Sequence, residues 1–378
     1  MPVTGATAFR NARMVLPDRV VSGSLAVSEG RIAAIDAGGS RGEDMEGDFL
    51  IPGLVELHTD HLENHYRPRP GVFWSPIAAL HAHDAQIAGS GITTVFDAVR
   101  LGSDTELKDM GTHVERLTGA IREATSEGWL RAEHFIHLRC ELPSHDVLAQ
   151  FDTYAGHRQT RLVSVMDHTP GQRQFRSLEA YRRFYQGARS EADMERFIAD
   201  RLAEHHRYAA MHRAHIVNQA RASGLALASH DDATLAHVEE AVRDGVAIAE
   251  FPTTLEAAAA AHDAGLAILM GAPNVVRGGS HSGNISAIDL VAAGLLDILS
   301  SDYVPFALLQ AAFLLPERVE SCTLPQAIAL VSSNPARAAG LDDRGEISVG
   351  RRADLVRVRM AGGLPVVRGV WREGKRVC

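Results

Sequence analysis

Cysteine is scarce in this chain. Its three residues, Cys140, Cys322 and Cys378, are odd in number and far apart, which argues against a disulfide framework and against a thiolate zinc site. Lysine is scarcer still: only Lys108 and Lys375 are lysine, and the rest of the 38 basic residues are arginine. Genome composition is the plainer explanation of that bias, ahead of phosphate recognition. No stretch approaches about 18 unbroken apolar residues, and the opening Met-Pro-Val-Thr-Gly lacks a basic region followed by an apolar one. A cytoplasmic protein is expected. Basic blocks are also missing, and the net charge of −9 argues against wholesale binding to nucleic acid or to an anionic membrane.

What is present is a globular composition, 46% hydrophobic and 22% charged, with 19 histidines. The 378 residues suit an α/β barrel with an appendage. Residues 1–50 and 343–378 both read as short strands separated by Gly and Pro, neither long enough to stand alone, so they are expected to pair into one small β domain. Between them, over 51–342, strands alternate with helices. Candidate strands are 53–58, 93–98, 133–141, 162–168, 226–230, 247–251, 267–270 and 297–302. Eight such strands predict a parallel sheet, most simply closed as a (β/α)8 barrel. A helix is expected over 254–264, with Thr253 and Glu256 as a capping box and Gly265 as its stop. One connection departs from the repeat. Residues 169–224 form an insert with an arginine-rich stretch and then a long helical pattern from Ala192; a lid and a plain solvated helical pair both fit it.

The polar singularities fall at candidate strand ends. Leu50-Ile51-Pro52-Gly53-Leu54-Val55-Glu56-Leu57-His58-Thr59-Asp60-His61 carries an apolar run into His58 and Asp60, and alternation sets Glu56, His58 and Asp60 on one face. Alternation likewise groups His137, Arg139 and Glu141 on the third strand; His168 ends the fourth, His230 the fifth and Asp302 the last. Any one of these alone reads as a helix cap or a loop hydrogen bond. Together, apolar strands finishing in His, Glu, His, His and Asp read as a metal site.

That order, His-x-Asp after a Pro-Gly-Leu strand and then Glu, His, His and Asp, flanked by a split β domain, resembles the amidohydrolase superfamily over essentially the whole chain. The resemblance implies a distorted (β/α)8 TIM barrel, a small β-sandwich domain built from both termini, and one or two divalent metal ions. Zinc is expected first, with manganese and iron as alternatives. The implied ligands are His58, Asp60, Glu141, His168, His230 and Asp302. Asp60 stands where histidine is usual in the superfamily, and His61 and His65 are nearby substitutes. A carbamylated lysine bridge has no candidate in an apolar strand, since Lys108 sits in the polar run Asp104-Thr105-Glu106-Leu107-Lys108-Asp109, and Glu141 takes that place.

Finer motifs narrow the resemblance. Glu56-Leu57-His58-Thr59-Asp60-His61-Leu62-Glu63, Arg67-Pro68-Arg69-Pro70-Gly71-Val72, His137-Leu138-Arg139-Cys140-Glu141, Met166-Asp167-His168-Thr169-Pro170-Gly171-Gln172 and Gly271-Ala272-Pro273-Asn274-Val275-Val276-Arg277-Gly278 are similar to one branch, the triphosphate diphosphatases of the carbon–phosphorus lyase route of phosphonate use. That similarity implies an anionic phosphonate sugar triphosphate, α-D-ribose 1-methylphosphonate 5-triphosphate, cleaved to the 5-phosphate and pyrophosphate. Arg139, Arg277, Arg173, Arg67 and Arg69 are the candidate phosphate contacts, with the Gly278–Gly283 loop as an anion nest before a helix starting near Ser286. Asp302 is the expected catalytic acceptor of the water proton. A homo-oligomer is expected, with neither nucleic acid nor membrane as partner. Two other readings remain on the same scaffold: a deaminase or deacetylase acting on a C–N bond, and a non-catalytic relative.

Overall fold

The computed structural model describes residues 7–36, 42–103, 110–175, 178–184, 190–279 and 284–378. Lys108 and Ser280–Gly283 therefore lie outside the described residues. The termini build one mixed sheet from β1 (Thr7–Val15), β2 (Val20–Ser28), β3 (Arg31–Asp36), β4 (Glu43–Asp44), β5 (Phe49–Pro52), then β14 (Leu355–Ala361), β15 (Leu364–Arg372) and β16 (Lys375–Arg376). Its order is β16-β15-β14-β5-β1-β2-β3, with β4 paired to β1. Phe9, Met14, Leu25, Leu50, Leu355 and Trp371 make its core, and Phe9 meets Trp371 edge-on at 4.9 Å. Burying the two end segments against each other solves the problem that neither holds enough apolar surface alone.

The barrel strands are β6 (Leu54–Thr59), β7 (Ile92–Leu101), β8 (Glu133–Glu141), β9 (Thr160–Met166), β10 (Ala226–His230), β11 (Ile248–Glu250), β12 (Ala267–Gly271) and β13 (Ile298–Ser300), hydrogen-bonded in that order. A parallel bridge between Thr59 and Asp302 closes the ring. The expected α/β barrel with a terminal β domain is what forms. β6 is buried along its whole length, as a parallel strand covered on both faces must be.

One glycine separates the two sheets. Gly53 lies between β5 and β6, and its N–H donates to the Asp354 carbonyl at 2.8 Å. A Cβ placed there would sit 2.2 Å from Thr93 Oγ1 and 2.9 Å from the Asp354 Cβ. Gly53→Ala is therefore expected to lower unfolding stability by about 1–3 kcal/mol, read as a lower urea midpoint; an unchanged midpoint contradicts this close approach.

The helix at 254–264 forms as Leu255–Asp263, but its cap differs from the expected one. Thr254 takes the N-cap, accepting the Ala257 N–H at 3.1 Å, so the box on Thr253 does not form. Thr253 lies one residue too early in the chain for its hydroxyl to reach the first turn. Gly265 follows in the left-handed region at φ +82°, as a stop requires. The insert holds a turn at Arg173–Phe175, helices Leu178–Phe184 and Glu191–Glu204, a π turn at His205–Ala209 and helix Ala210–Ala222. Tyr181, Met194, Phe197 and Ile198 give it a small apolar core. Among the described residues no helix is long and apolar enough to cross a membrane.

By internal contacts the chain divides into two units: Met1–Asp97, Ala120–Phe135 and Met270–Cys378 in one, Ala98–Gly119 and Ile136–Leu269 in the other.

Candidate metal centre

In the unit that carries the C-terminal ends of β8 to β11, the strand ends gather Glu141, His168, His230, Asp231 and Glu250. Glu141 ends β8, fully buried, with Oε2 2.5 Å from His168 Nδ1 and Oε1 accepting the His168 N–H at 3.0 Å. Burial alone would raise its pKa, but His168 and the Arg100 guanidinium 3.5 Å away hold the carboxyl far below the usual carboxylate range. His168 shows the mirror effect: burial would depress it, and the charges of Glu141 and Asp231 raise it instead. His168 lies two residues past β9, not within the strand.

His230 ends β10 and sits beside Glu250 in the parallel register. Its Nδ1 lies 3.1 Å from Glu250 Oε2, which also accepts the Ser164 hydroxyl at 2.6 Å. Both outward Nε2 atoms face one oxygen: Asp231 Oδ2 is 3.5 Å from His230 Nε2 and 3.7 Å from His168 Nε2. These separations are too long for hydrogen bonds. They match the spacing of about 3.4 Å between donors that each sit about 2.0–2.1 Å from a tetrahedral ion. The donor set thus fits a divalent metal, and carboxylates on both Nδ1 atoms hold the imidazoles in the orientation such ligands need. Asp231 at φ +56° and Phe251 at φ +52° put non-glycine residues in the left-handed region directly after β10 and β11, the kind of local strain that collects at functional sites.

Sequence reasoning missed Asp231, Glu250 and Ser164. The Ile248-Ala249-Glu250 strand does carry the same signal as the others, an apolar run ending in a carboxylate. Arg173 differs from the expected loop cation: it is buried and ion-paired with Asp232, and with Glu240 at 2.8 Å. A buried guanidinium needs such partners, and two carboxylates supply them. Arg139 shares the β8 face of His137 and Glu141, half-buried.

In the other unit, His58 lies near the end of β6. Glu56 Oε1 accepts the His58 N–H at 2.6 Å, and its other oxygen accepts the Ser301 N–H. Burial pushes the Glu56 carboxyl up to about 7 in spite of those bonds. Asp302 stands two residues past β13 at φ +55°; its N–H donates to the His58 carbonyl at 3.1 Å and its carbonyl accepts from Thr59 Oγ1 at 2.8 Å. Its backbone is thereby pinned beside His58. Asp60 takes the N-cap position of the helix His61–Tyr66, with no side-chain capping bond. The alternatives His61 and His65 both contact Gln86 Oε1 at 3.1 Å through Nε2. Arg67, Arg69 and Arg277 are exposed. Of the expected anion nest, Gly278 and Gly279 spend their N–H groups capping the helix Ala272–Arg277, donating to the Asn274 and Val275 carbonyls, so these two are not available to a phosphate, while Ser280–Gly283 lie outside the described residues. The helix near Ser286 forms as expected, as Ala287–Ala292 with Ser286 capping it.

The same unit holds a second His–Asp group. His83, Asp97 and His134 lie together, but at 2.8 and 2.7 Å, and His134 Nε2 reaches Asp84 at 3.3 Å. Those are hydrogen-bond distances, and the group reads as a buried ion network.

The strand-end constellation on a barrel with a split terminal sheet agrees with the family match, which runs from residue 49 to 377. The chain belongs to the amidohydrolase family. It is 49% identical over 375 residues to the alpha-D-ribose 1-methylphosphonate 5-triphosphate diphosphatase of Escherichia coli strain K12, covering 98% of this chain and 99% of that protein. Among solved structures, a putative prolidase from Bifidobacterium longum aligns at TM-score 0.65 and 15% identity, over 99% of this chain and 95% of that one. The N-acetylglucosamine-6-phosphate deacetylase of Pasteurella multocida aligns at TM-score 0.60 and 15% identity, over 98% and 99%. At such identities the two structures speak for the amidohydrolase fold and not for a substrate.

Proposed function

We propose that this amidohydrolase cleaves α-D-ribose 1-methylphosphonate 5-triphosphate to the 5-phosphate and pyrophosphate. The observation that carries the reading is the near full-length 49% identity to the relative of that name, joined to a donor set that fits a metal. In this reading His58, Asp60, Glu141, His168, His230 and Asp302 hold one or two divalent ions, zinc first and manganese or iron next, with Asp231 added as a donor beside the two histidines. Such an ion, when bound, acts as a Lewis acid and lowers the pKa of water from about 15.7 towards about 7.

The chain's own residues do the rest. Asp302 takes the proton of the attacking water. Arg139, Arg277, Arg67 and Arg69 bind the triphosphate oxygens, and spreading the charge of the departing pyrophosphate is the larger part of phosphoryl transfer. Arg173 acts through its carboxylate partners: it ties Asp232, next to the donor Asp231, to Glu240 in the following helix. Residues 1–50 with 343–378 serve as the β domain and 51–342 as the catalytic barrel, with 169–224 as its insert.

Purified protein supplied with zinc or manganese is expected to release pyrophosphate from the sugar triphosphate and no ammonia from nucleobases. Ammonia release without pyrophosphate overturns the proposal in favour of C–N chemistry.

A further inference from the structure

The insert carries a feature that the reading above leaves unused. From Glu191 to Ala222 the chain is helical throughout, but the turn His205–Ala209 is a π turn, with the residues on both sides still in right-handed helical geometry. π turns are rare and cluster at functional sites, because the extra residue re-aims the side chains beside it. Here the turn presents His205 to Asp167. Its Nδ1 lies 2.7 Å from Asp167 Oδ2, while Asp167 Oδ1 accepts the Thr169 N–H at 3.1 Å. Asp167 directly precedes His168 and is buried, whereas His205 is partly open to solvent. With Nδ1–H donated to the carboxylate, Nε2 has no hydrogen-bond partner among the described residues.

We propose that His205, held by Asp167, is the general acid that protonates the pyrophosphate leaving group. This rests on the diphosphatase reading. The attacking water's oxygen bonds to the α-phosphorus as the bond from that phosphorus to the bridging oxygen breaks. The water's proton goes to the base that activates it, and the proton on His205 Nε2 passes to the departing bridging oxygen. Asp167 fixes the tautomer and orientation of the imidazole and stabilises its charged form, as a carboxylate behind a working histidine does. The surroundings support that role. The hydrogen bond and charge of Asp167 raise the His205 pKa against burial and against the Arg173 guanidinium; the His206 ring meets it edge-on at 5.4 Å, and Arg207 and Tyr208 share the turn with it while Glu204 precedes it.

The experiment compares wild type with His205→Gln on two substrates: the sugar triphosphate, and the same sugar 5-phosphate esterified with 4-nitrophenol, whose phenolate departs without a proton. His205→Gln is expected to lose about 10²-fold in kcat/KM on the triphosphate, to lose the alkaline limb of its pH profile, and to stay within a few-fold of wild type on the nitrophenyl ester. Asp167→Asn is expected to keep that limb but move it to lower pH. Equal losses on both substrates, or an alkaline limb unchanged in His205→Gln, overturn the proposal, and the two-substrate ratio within one preparation guards against a poorly folded variant. Failure of wild type to release pyrophosphate is a separate result and sinks the diphosphatase reading itself.

Discussion

His230→Ala is expected to retain less divalent metal than wild type after dialysis and to release pyrophosphate at least about 10³-fold more slowly. The imidazole provides one of the outward Nε2 atoms that face Asp231, so its removal leaves His168 and Asp231 without the third donor of the group. Lewis-acid assistance contributes several kcal/mol, and each 1.4 kcal/mol is about tenfold in rate. A companion variant separates holding an ion from aiming a ligand. Glu250→Gln keeps a polar group on His230 Nδ1 and on the Ser164 hydroxyl but removes the charge behind the imidazole. It is expected to weaken metal affinity by about 10–100-fold and to leave the fold intact. Wild-type metal content and turnover in His230→Ala would show that the strand-end group is not the metal centre.

The second large effect concerns stability. Asp97→Ala is expected to destabilise the protein by about 3–5 kcal/mol at pH 6, seen as a lower urea midpoint, because it strips a carboxylate from a fully buried ion network. His134 sits between Asp97 Oδ2 at 2.7 Å and Asp84 at 3.3 Å, and Asp97 also takes His83 at 2.8 Å. Asp84 is itself held by the backbone N–H groups of Arg131 and Ala132. Burial would lower the His134 pKa, but the charge of Asp97 and the bond to Asp84 lift it from 6.5 to about 9. Burial would raise Asp97, and His134 instead brings it from 3.8 to about 2.

The signs of these two shifts set the pH window. A histidine raised on folding contributes stability that is complete below its unfolded value of 6.5 and lost as pH rises through about 9. An aspartate lowered on folding contributes stability that is complete above 3.8 and lost as pH falls through about 2. The gap between wild type and Asp97→Ala should therefore be widest near pH 4–6.5 and close towards pH 9.5. A gap below about 1 kcal/mol at pH 6 would mean the network is not the ion pair that its geometry describes.

Much of this molecule is legible without coordinates. The β6 run from Leu54 to Thr59, the β8 run from Glu133 to Glu141 and the β10 run from Ala226 to His230 announce themselves because an apolar strand with His or Glu at or next to its end is a local pattern. Strand count and alternation with helices then fix a parallel barrel, since parallel strands need helical crossovers. The terminal domain is legible for a similar reason, two strand-rich ends each too small to fold alone.

Other features were not legible, and in each case the cause is a partner far away in sequence. Glu250 gains its meaning from Ser164, 86 residues earlier, and from His230 beside it in the sheet. Arg173 looks like a loop cation until Glu240, 67 residues on, is seen against it. Gly278 and Gly279 look like an anion nest until their N–H groups are found capping the preceding helix.

By itself the sequence determined which elements form and which polar groups stand at their ends, because periodicity and strand termination are encoded within about ten residues. Only the tertiary structure decided what those groups do: which histidine nitrogen faces a carboxylate, which carboxylate stands behind an imidazole, and which arginine is already neutralised. Those roles depend on distances of about 3–4 Å between side chains that the chain brings together only when it folds, and on the burial that shifts their pKa values once it has.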